Sequence, residues 1–233
     1  MNPSNSWRLV RSTSTAADFH SRAVPDPAPS EIWCHDVTAP ALVLGSTQRD
    51  SVVDIDACRR QGVDVVRRRS GGGAVLLVPG EVTWIDVIVP TGSAGWSQDI
   101  HAPMVWLGRH LAAAFAASTA STASIAPTAD VVVHEGALRS TRWSSLVCFD
   151  GVGAGEVLVD GAKLVGLSQR RTRHAARLQC CWYSTYDPAR LVELLAPDHR
   201  PTVGELAPVA TMPAALADAA VHALTERLAR HPG

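Results

Sequence analysis

The feature that most constrains this chain is a glycine triplet held between two β-like runs. Val65-Val66-Arg67-Arg68-Arg69-Ser70-Gly71-Gly72-Gly73-Ala74-Val75 is followed, after the apolar turn Leu76-Leu77-Val78-Pro79, by Gly80-Glu81-Val82-Thr83-Trp84-Ile85-Asp86-Val87-Ile88-Val89. Without Cβ atoms, glycine backbone can approach a ligand closely, and arginine supplies a permanently charged fork. Alone, a glycine run is a flexible turn and an arginine run a solvated surface. Joined between two strands, they describe a loop that can hold an anion with backbone N–H groups and guanidinium together. The spacing matches neither the Gly-x-x-x-x-Gly-Lys-Ser/Thr loop of NTPases nor a Gly-x-Gly-x-x-Gly turn opening a helix.

A chain of 233 residues, 46% hydrophobic and 18% charged, fits one soluble enzyme-sized domain spanning residues 1–233. Its net charge of −1 offers no basic face for nucleic acid. No apolar run approaches the roughly 20 residues needed to span a bilayer. Met1 to Arg11 lacks the apolar core of a signal peptide, so a cytoplasmic protein is expected. Five cysteines without a Cys-x-x-Cys pair form neither a disulfide framework nor a zinc site. Cys34 and His35 are neighbours on a strand and face opposite sides, so no structural metal is expected.

Periodicity predicts strands at Trp7–Arg11, Glu31–Val37 and Ala41–Gly45, and short helices at Thr15–Arg22 and Asp54–Gln61, the second closed by Gly62. Asp99–Ala117 reads as the longest helix, and the Ser/Thr/Ala-rich run Ser118–Ala129 as a loose loop without function. Three closely spaced strands follow at Glu156–Asp160, Lys163–Arg171 and Ala176–Thr185, then helices at Pro188–Leu195 and Pro213–His231. Strands clustered apart from helices argue for an α+β class.

Three segments carry a family resemblance. The loop Arg67 to Val75 matches the pattern Arg-Arg-x-Ser/Thr-Gly-Gly-x-Ala-Val of the lipoate-protein ligase, octanoyltransferase and biotin ligase superfamily. Upstream, Ala41-Leu42-Val43-Leu44-Gly45-Ser46-Thr47-Gln48 is similar to its strand ending in Gly-x-x-Gln. Downstream, Asp160-Gly161-Ala162-Lys163-Leu164-Val165-Gly166-Leu167-Ser168-Gln169-Arg170-Arg171 resembles its lysine segment. The resemblance implies a mixed, largely antiparallel central sheet flanked by helices. It also implies that Gly45, Gln48, Arg69, Ser70, Gly71, Gly72, Gly73, Ala74, Gly166 and Ser168 hold the acyl ligand or its adenylate.

Lys163 stands after Asp160-Gly161, where a lysine is ordinarily a solvated hairpin residue whose loss leaves the fold intact. In the resembling family this lysine lies against the acyl carbonyl, where a cation stabilises charge developing in acyl transfer. Cys148, in Leu146-Val147-Cys148-Phe149, precedes Lys163 by fifteen residues and is similar to the Cys-Phe nucleophile of the cysteine-dependent transferases. Its competing role is that of a buried structural thiol.

The resemblance implies first a ligase that activates lipoate or a medium-chain fatty acid such as octanoate with ATP and Mg, then modifies a carrier lysine. Second stands an ATP-independent octanoyl or lipoyl transferase working through a Cys148 thioester, and third a non-catalytic acyl-binding homologue. Implied partners are the lipoyl-acceptor domains of 2-oxoacid dehydrogenases or the glycine cleavage carrier protein, with the enzyme itself a monomer. Two departures stand out. Leu76-Leu77-Val78-Pro79 replaces the usual aromatic or Leu followed by His-Asp, and Gln179-Cys180-Cys181 replaces Gln-His-Gly or His-His-Gly.

Overall fold

Two sheets organise the protein, in a computed structural model that describes residues 7–120 and 130–230. In chain order the strands are β1 (Arg8–Ser14), β2 (Glu31–Val37), β3 (Ala41–Leu44), β4 (Asp64–Arg67), β5 (Val75–Leu77), β6 (Val82–Pro90), β7 (Val131–Val133), β8 (Val157–Val159), β9 (Ala162–Arg171) and β10 (Ala175–Tyr183). The helices are α1 (Ala16–Ser21), α2 (Ile55–Gln61), α3 (Ala102–Ala120), α4 (Pro188–Val192) and α5 (Ala214–Arg230). A seven-stranded sheet runs β1-β2-β6-β10-β9-β8-β7, and a three-stranded sheet runs β4-β3-β5. Only the β1–β2 and β3–β4 ladders among these are parallel. This is the expected α+β class with a mixed, largely antiparallel sheet.

Side-chain alternation on β6 and β10 sets the two faces of the large sheet. Ile85, Val87, Val89, Leu178 and Trp182 pack against Leu107, Leu111 and Phe115 of α3 and Leu224 of α5. On the other face, Trp84 and Tyr183 meet Val43, Val75 and Leu77 of the small sheet and Phe19 of α1. Helices α3 and α5 cover the first face along β6 and β10, and the second is left to the small sheet and α1.

A charged network lies buried on that second face. The Asp86 carboxylate accepts from His35 Nε2 at 2.9 Å, Trp84 Nε1 at 3.0 Å, Gln179 Nε2 at 3.3 Å and Arg177 Nε at 2.7 Å. Arg177 also donates to Phe19 O at 2.7 Å and Arg22 O at 2.8 Å, so one guanidinium ties the C-terminal end of α1 to the sheet. The N-terminal end is held by a capping box between Thr15 and Asp18.

Where the structure differs from periodicity, backbone partners explain it. The third helix begins at Ala102 rather than Asp99, because the Asp99 carboxylate instead accepts from His101 N at 2.9 Å. It also runs on to Ala120, into the Ser/Thr/Ala-rich run; residues 121–129 of that run lie outside the described residues. The fourth helix stops at Val192, since Leu194 O and Ala196 N turn away to bond Asp54 N and Val52 O. Strand β7 was not expected at all, being three residues paired only with β8.

Asp86→Asn should cost about 3–5 kcal/mol in urea unfolding, because it leaves Arg177 charged and uncompensated in the core. Burial alone raises the Asp86 carboxyl, but His35 and Arg177 outweigh it and hold the group below the ordinary carboxylate range. A depressed folded value means the stabilisation is complete above the unfolded carboxylate value of about 3.9 and is lost as pH falls below it. The parent should therefore lose stability on acidification more steeply than Asp86→Asn; parallel curves would remove the network from this role.

Candidate functional site

The arginine-glycine loop first organises itself. Arg68 is buried, and its guanidinium sits inside the loop, donating to Gly71 O at 2.8 Å and Gly73 O at 2.8 Å. Arg67 bonds Gly45 O at 2.9 Å and pairs with Asp50. Arg69 is exposed and borders a separate depression with Ala17, His20 and Val65. Two of the three arginines thus shape backbone rather than face a ligand.

Close approach explains the glycines. A Cβ on Gly45 would lie 1.9 Å from Gly72 O, and one on Gly73 would lie 2.6 Å from Cys148 N and from Val147 C. Gly72 has φ of 100°, a left-handed conformation that disfavours a side chain, and its Cβ position is 3.9 Å from Cys148 Sγ. The loop is therefore pressed against the Cys148 segment. Hydrogen bonds seal the contact, Ala74 N to Leu146 O at 2.7 Å and Cys148 N to Ala74 O at 3.0 Å.

Gln48 braces the same contact from behind. Its Oε1 accepts from Gly45 N at 2.9 Å, and its Nε2 donates to Ser145 O at 3.1 Å and Leu146 O at 3.0 Å. Ser70 Oγ meets Ser168 Oγ at 3.0 Å and donates to Gln179 Oε1 at 3.3 Å, joining the loop to β9 and β10.

Lys163 is buried, at 3% exposure, on the second residue of β9 after a tight turn with Asp160 φ at 49° and Gly161 φ at 79°. All three Nζ donors are engaged: Cys148 O at 2.8 Å, Gly151 O at 2.8 Å and the Glu156 carboxylate at 2.8 Å. Glu156 in turn accepts from Gly153 N at 2.7 Å and Leu167 N at 3.0 Å. Lys163 is thus a clamp on the backbone of Cys148, not a solvated hairpin residue. Removing it would strand a buried carboxylate, so the fold would not be left intact.

Two cavities meet at Cys148. One is a narrow slot of about 50 Å³, walled by Val43, Val75, Leu77, Trp84, Cys181 and Gly166. The other is an open cleft of about 480 Å³ bordered by Gly71, Gly72, Gly73, Ser144, Glu156 and Lys163. Cys148, Leu167 and Ser168 border both. Burial, reinforced by Cys148 and opposed by Arg68 and Lys163, pushes the Cys181 thiol up to about 12, so it stays neutral and serves as apolar wall.

Of the residues singled out from sequence, Gly71, Gly72, Gly73, Gly166, Ser168, Cys148 and Lys163 come together on these cavities. Gly45, Gln48, Ser70 and Ala74 support them from outside, and Arg69 faces elsewhere. Glu156, Trp84 and Gln179 were missed. A glutamate seven residues before the lysine, or a tryptophan within an apolar strand, carries no local mark of its partner.

The profile of the lipoyl protein ligase A/B catalytic domain matches residues 22–231. The chain belongs to that family. Octanoyltransferase LipM of Kyrpidia tusciae is 30% identical over 179 residues, which cover 72% of this chain and 62% of that relative, under two thirds of its length. Among solved structures, lipoate-protein ligase A bound with ATP superposes at TM-score 0.65 with 17% identity, covering 96% of this chain and 85% of that one. LipL1 of P. falciparum in complex with lipoate gives 0.62 with 11% identity, covering 98% and 63%. A bipartite lipoate protein ligase from Thermoplasma acidophilum gives 0.59 with 15% identity, covering 96% and 83%. These likenesses establish the shared fold, and the family is one of enzymes. Among the described residues, no helix is long and apolar enough to cross a membrane.

Gly73→Ala should displace Cys148, because its Cβ meets backbone at 2.6 Å, whereas at Gly71 a Cβ meets nothing within 4 Å. Thiol alkylation of Cys148 should change sharply in Gly73→Ala and remain at parental rate in Gly71→Ala. Stability should fall by roughly 2 kcal/mol or more in the first variant and by less than about 0.5 kcal/mol in the second. Equal behaviour of the two would dismiss backbone contact as the reason for the triplet.

Proposed function

We propose that the protein is an acyltransferase that carries a medium-chain acyl group, octanoyl or lipoyl, on Cys148 and passes it to a lysine of a carrier domain. The observation carrying this reading is the position of Cys148 at the junction of the apolar slot and the open cleft. The end of an acyl tail can enter the slot, and the adjoining cleft of about 480 Å³ leaves room for the rest of the acyl group, for the donor's arm and then for the acceptor.

In the first half-reaction the Cys148 thiolate attacks the carbonyl of a carrier-bound thioester. A new C–S bond forms to Cys148, the C–S bond to the carrier breaks, and the carrier leaves as a thiolate that takes up the proton Cys148 had released. In the second, the unprotonated acceptor amine attacks the Cys148 thioester, the amide forms and the cysteine is regenerated. Lys163 holds the backbone on which Cys148 rides, its three donors taken by the Cys148 and Gly151 carbonyls and the Glu156 carboxylate, and so fixes where Sγ meets the acyl carbonyl. The apolar run at Leu76 and Leu77 supports this reading, because Leu77 walls the slot where the family pattern has polar residues.

A second reading, an adenylate-forming lipoate ligase using ATP and Mg, is favoured by the open face of the loop at Gly71. The acceptor in either case is a lipoyl-type domain, the kind of partner named with the Thermoplasma ligase.

Incubation with octanoyl carrier protein should add one acyl group to Cys148, read by peptide mass spectrometry, with no pyrophosphate released. Cys148→Ser should lose transfer almost completely while keeping slot binding, because a serine hydroxyl is far less ionised than a thiol. Lys163→Ala should reduce transfer by roughly 100-fold or more, accompanied by loss of stability. Retained transfer in Cys148→Ser, with pyrophosphate formed from ATP and a free acid, would replace the thioester route by the ligase.

A further inference from the structure

Among the described residues, the two most exposed large apolar side chains are Leu138, at 66%, and Ile100, at 56%. Both stand on one hollow, a second open cavity of about 460 Å³ that Met104, Gly153, Gln169 and Arg171 also border. Met104, Leu138, Gly153 and Gln169 border the Cys148 cleft as well, so the hollow and the cleft share a rim. Single apolar residues scattered over a surface need no explanation. Two of them at the mouth of a reactive cleft mark a place where another surface lands.

Neither side chain is exposed through looseness. Leu138 follows a turn pinned by His134 Nε2, which donates to Ala137 O at 2.7 Å. It precedes Arg139, whose N bonds Val152 O at 2.8 Å and whose O accepts from Val152 N at 3.0 Å. Ile100 is presented in the same way. Its carbonyl accepts from Gln169 Nε2 at 3.2 Å, and the carbonyls of Gln98 and Asp99 accept from Arg171 at 3.3 and 3.0 Å. Charge at this rim is basic. Arg139 is exposed beside Leu138, and Arg171 lines the hollow. The neighbouring acids are already engaged, Glu135 with Arg109, Glu156 with Lys163, and Asp99 with His101 N.

Reach decides which partner needs such a rim. A donor thioester on a long arm can meet Sγ while its own domain stays away. An acceptor lysine cannot, because its five bonds of about 1.5 Å span roughly 6 Å from Cα to Nζ. The folded body that carries it must therefore rest on the edge of the cleft.

We propose that the Ile100–Leu138 rim is the docking surface for the acceptor domain. That domain presents, beside its reactive lysine, an apolar side chain that covers Leu138 and Ile100 and a carboxylate that meets Arg139. This rests on the acyl-transfer reading, applies to the thioester and adenylate routes alike, and adds where the acceptor sits.

Kinetics with two acceptors tests it, an unmodified E2 lipoyl domain, the partner named with the Thermoplasma ligase, and a short lysine peptide. The protein is charged with octanoyl carrier protein or with octanoate and ATP. Ile100→Ser and Leu138→Ser change exposed side chains and should fold as the parent does. Each should raise KM for the lipoyl domain about tenfold with little change in kcat. Loading, and transfer to the lysine peptide, should stay at the parental rate in Ile100→Ser, which lies off the cleft. Ile100→Leu should keep the parental KM, and Arg139→Glu should raise it until a lysine replaces the carboxylate beside the reactive lysine of the domain. An unchanged KM in both serine variants, with loading intact, would overturn the docking surface while leaving the acyl-transfer reading standing. So would a parent that sediments as a dimer and becomes monomeric in those variants, since the rim would then face a second copy. A parent that takes no acyl group from either source, or passes none to the domain, would overturn the acyl-transfer reading and the docking surface together.

Discussion

The close approach of two backbones, Gly71–Ala74 against Leu146–Cys148, is the contact on which the site depends. No side chain fits between Gly73 and Val147 or Cys148, and none fits between Gly45 and the Gly72 carbonyl. The loop is then locked from within by the Arg68 guanidinium and from behind by the Gln48 amide. A cysteine outside regular strands is thereby held as firmly as one in a sheet. The lysine clamp completes this, since Lys163 gathers the Cys148 and Gly151 carbonyls and is balanced by Glu156. The desolvation cost of this buried charge is offset by its partners, which leave little freedom to the segment it grips.

Both sides of the site are built from a division of labour within the sheet. Odd and even residues of β6 go to opposite faces, with Ile85 and Val87 to the helices and Trp84 and Asp86 to the slot side. Apolar residues on the slot side line most of the cavity, while Asp86 bonds to Gln179, which itself borders the slot. Burial of that polar set is tolerated because each Asp86 oxygen finds donors in His35, Trp84, Arg177 and Gln179.

Local signals carried much of this in the sequence. Helix α2 is bounded by Asp54, whose carboxylate caps Ala57 N, and by Gly62 at φ of 64°, and both are short-range effects. The Asp160-Gly161 turn that sets Lys163 on its strand is equally local. What stayed hidden depends on residues far apart in the chain. Charge suggested that Arg67 and Arg68 face an anion, yet carbonyls of Gly45, Gly71 and Gly73 consume them. Glu156 looks like any acid in a glycine-rich stretch until β9 brings Lys163 to it. His20 is unmarked because its ring partner, Trp84, comes from β6, after four intervening strands.

Helix α1 illustrates how such distant partners change local behaviour. Six residues are too few to persist as an isolated helix in water. Its last carbonyls, however, belong to the hydrogen-bond shell of Arg177, whose own partner is the fully buried Asp86. Fraying the end of α1 therefore means exposing the ion pair at the heart of the large sheet. The helix thereby joins the cooperative unit of the core, and the Phe19 and Arg22 amides, bonded to Thr15 O and Asp18 O, are expected to exchange with solvent on the timescale of global opening rather than that of a surface turn.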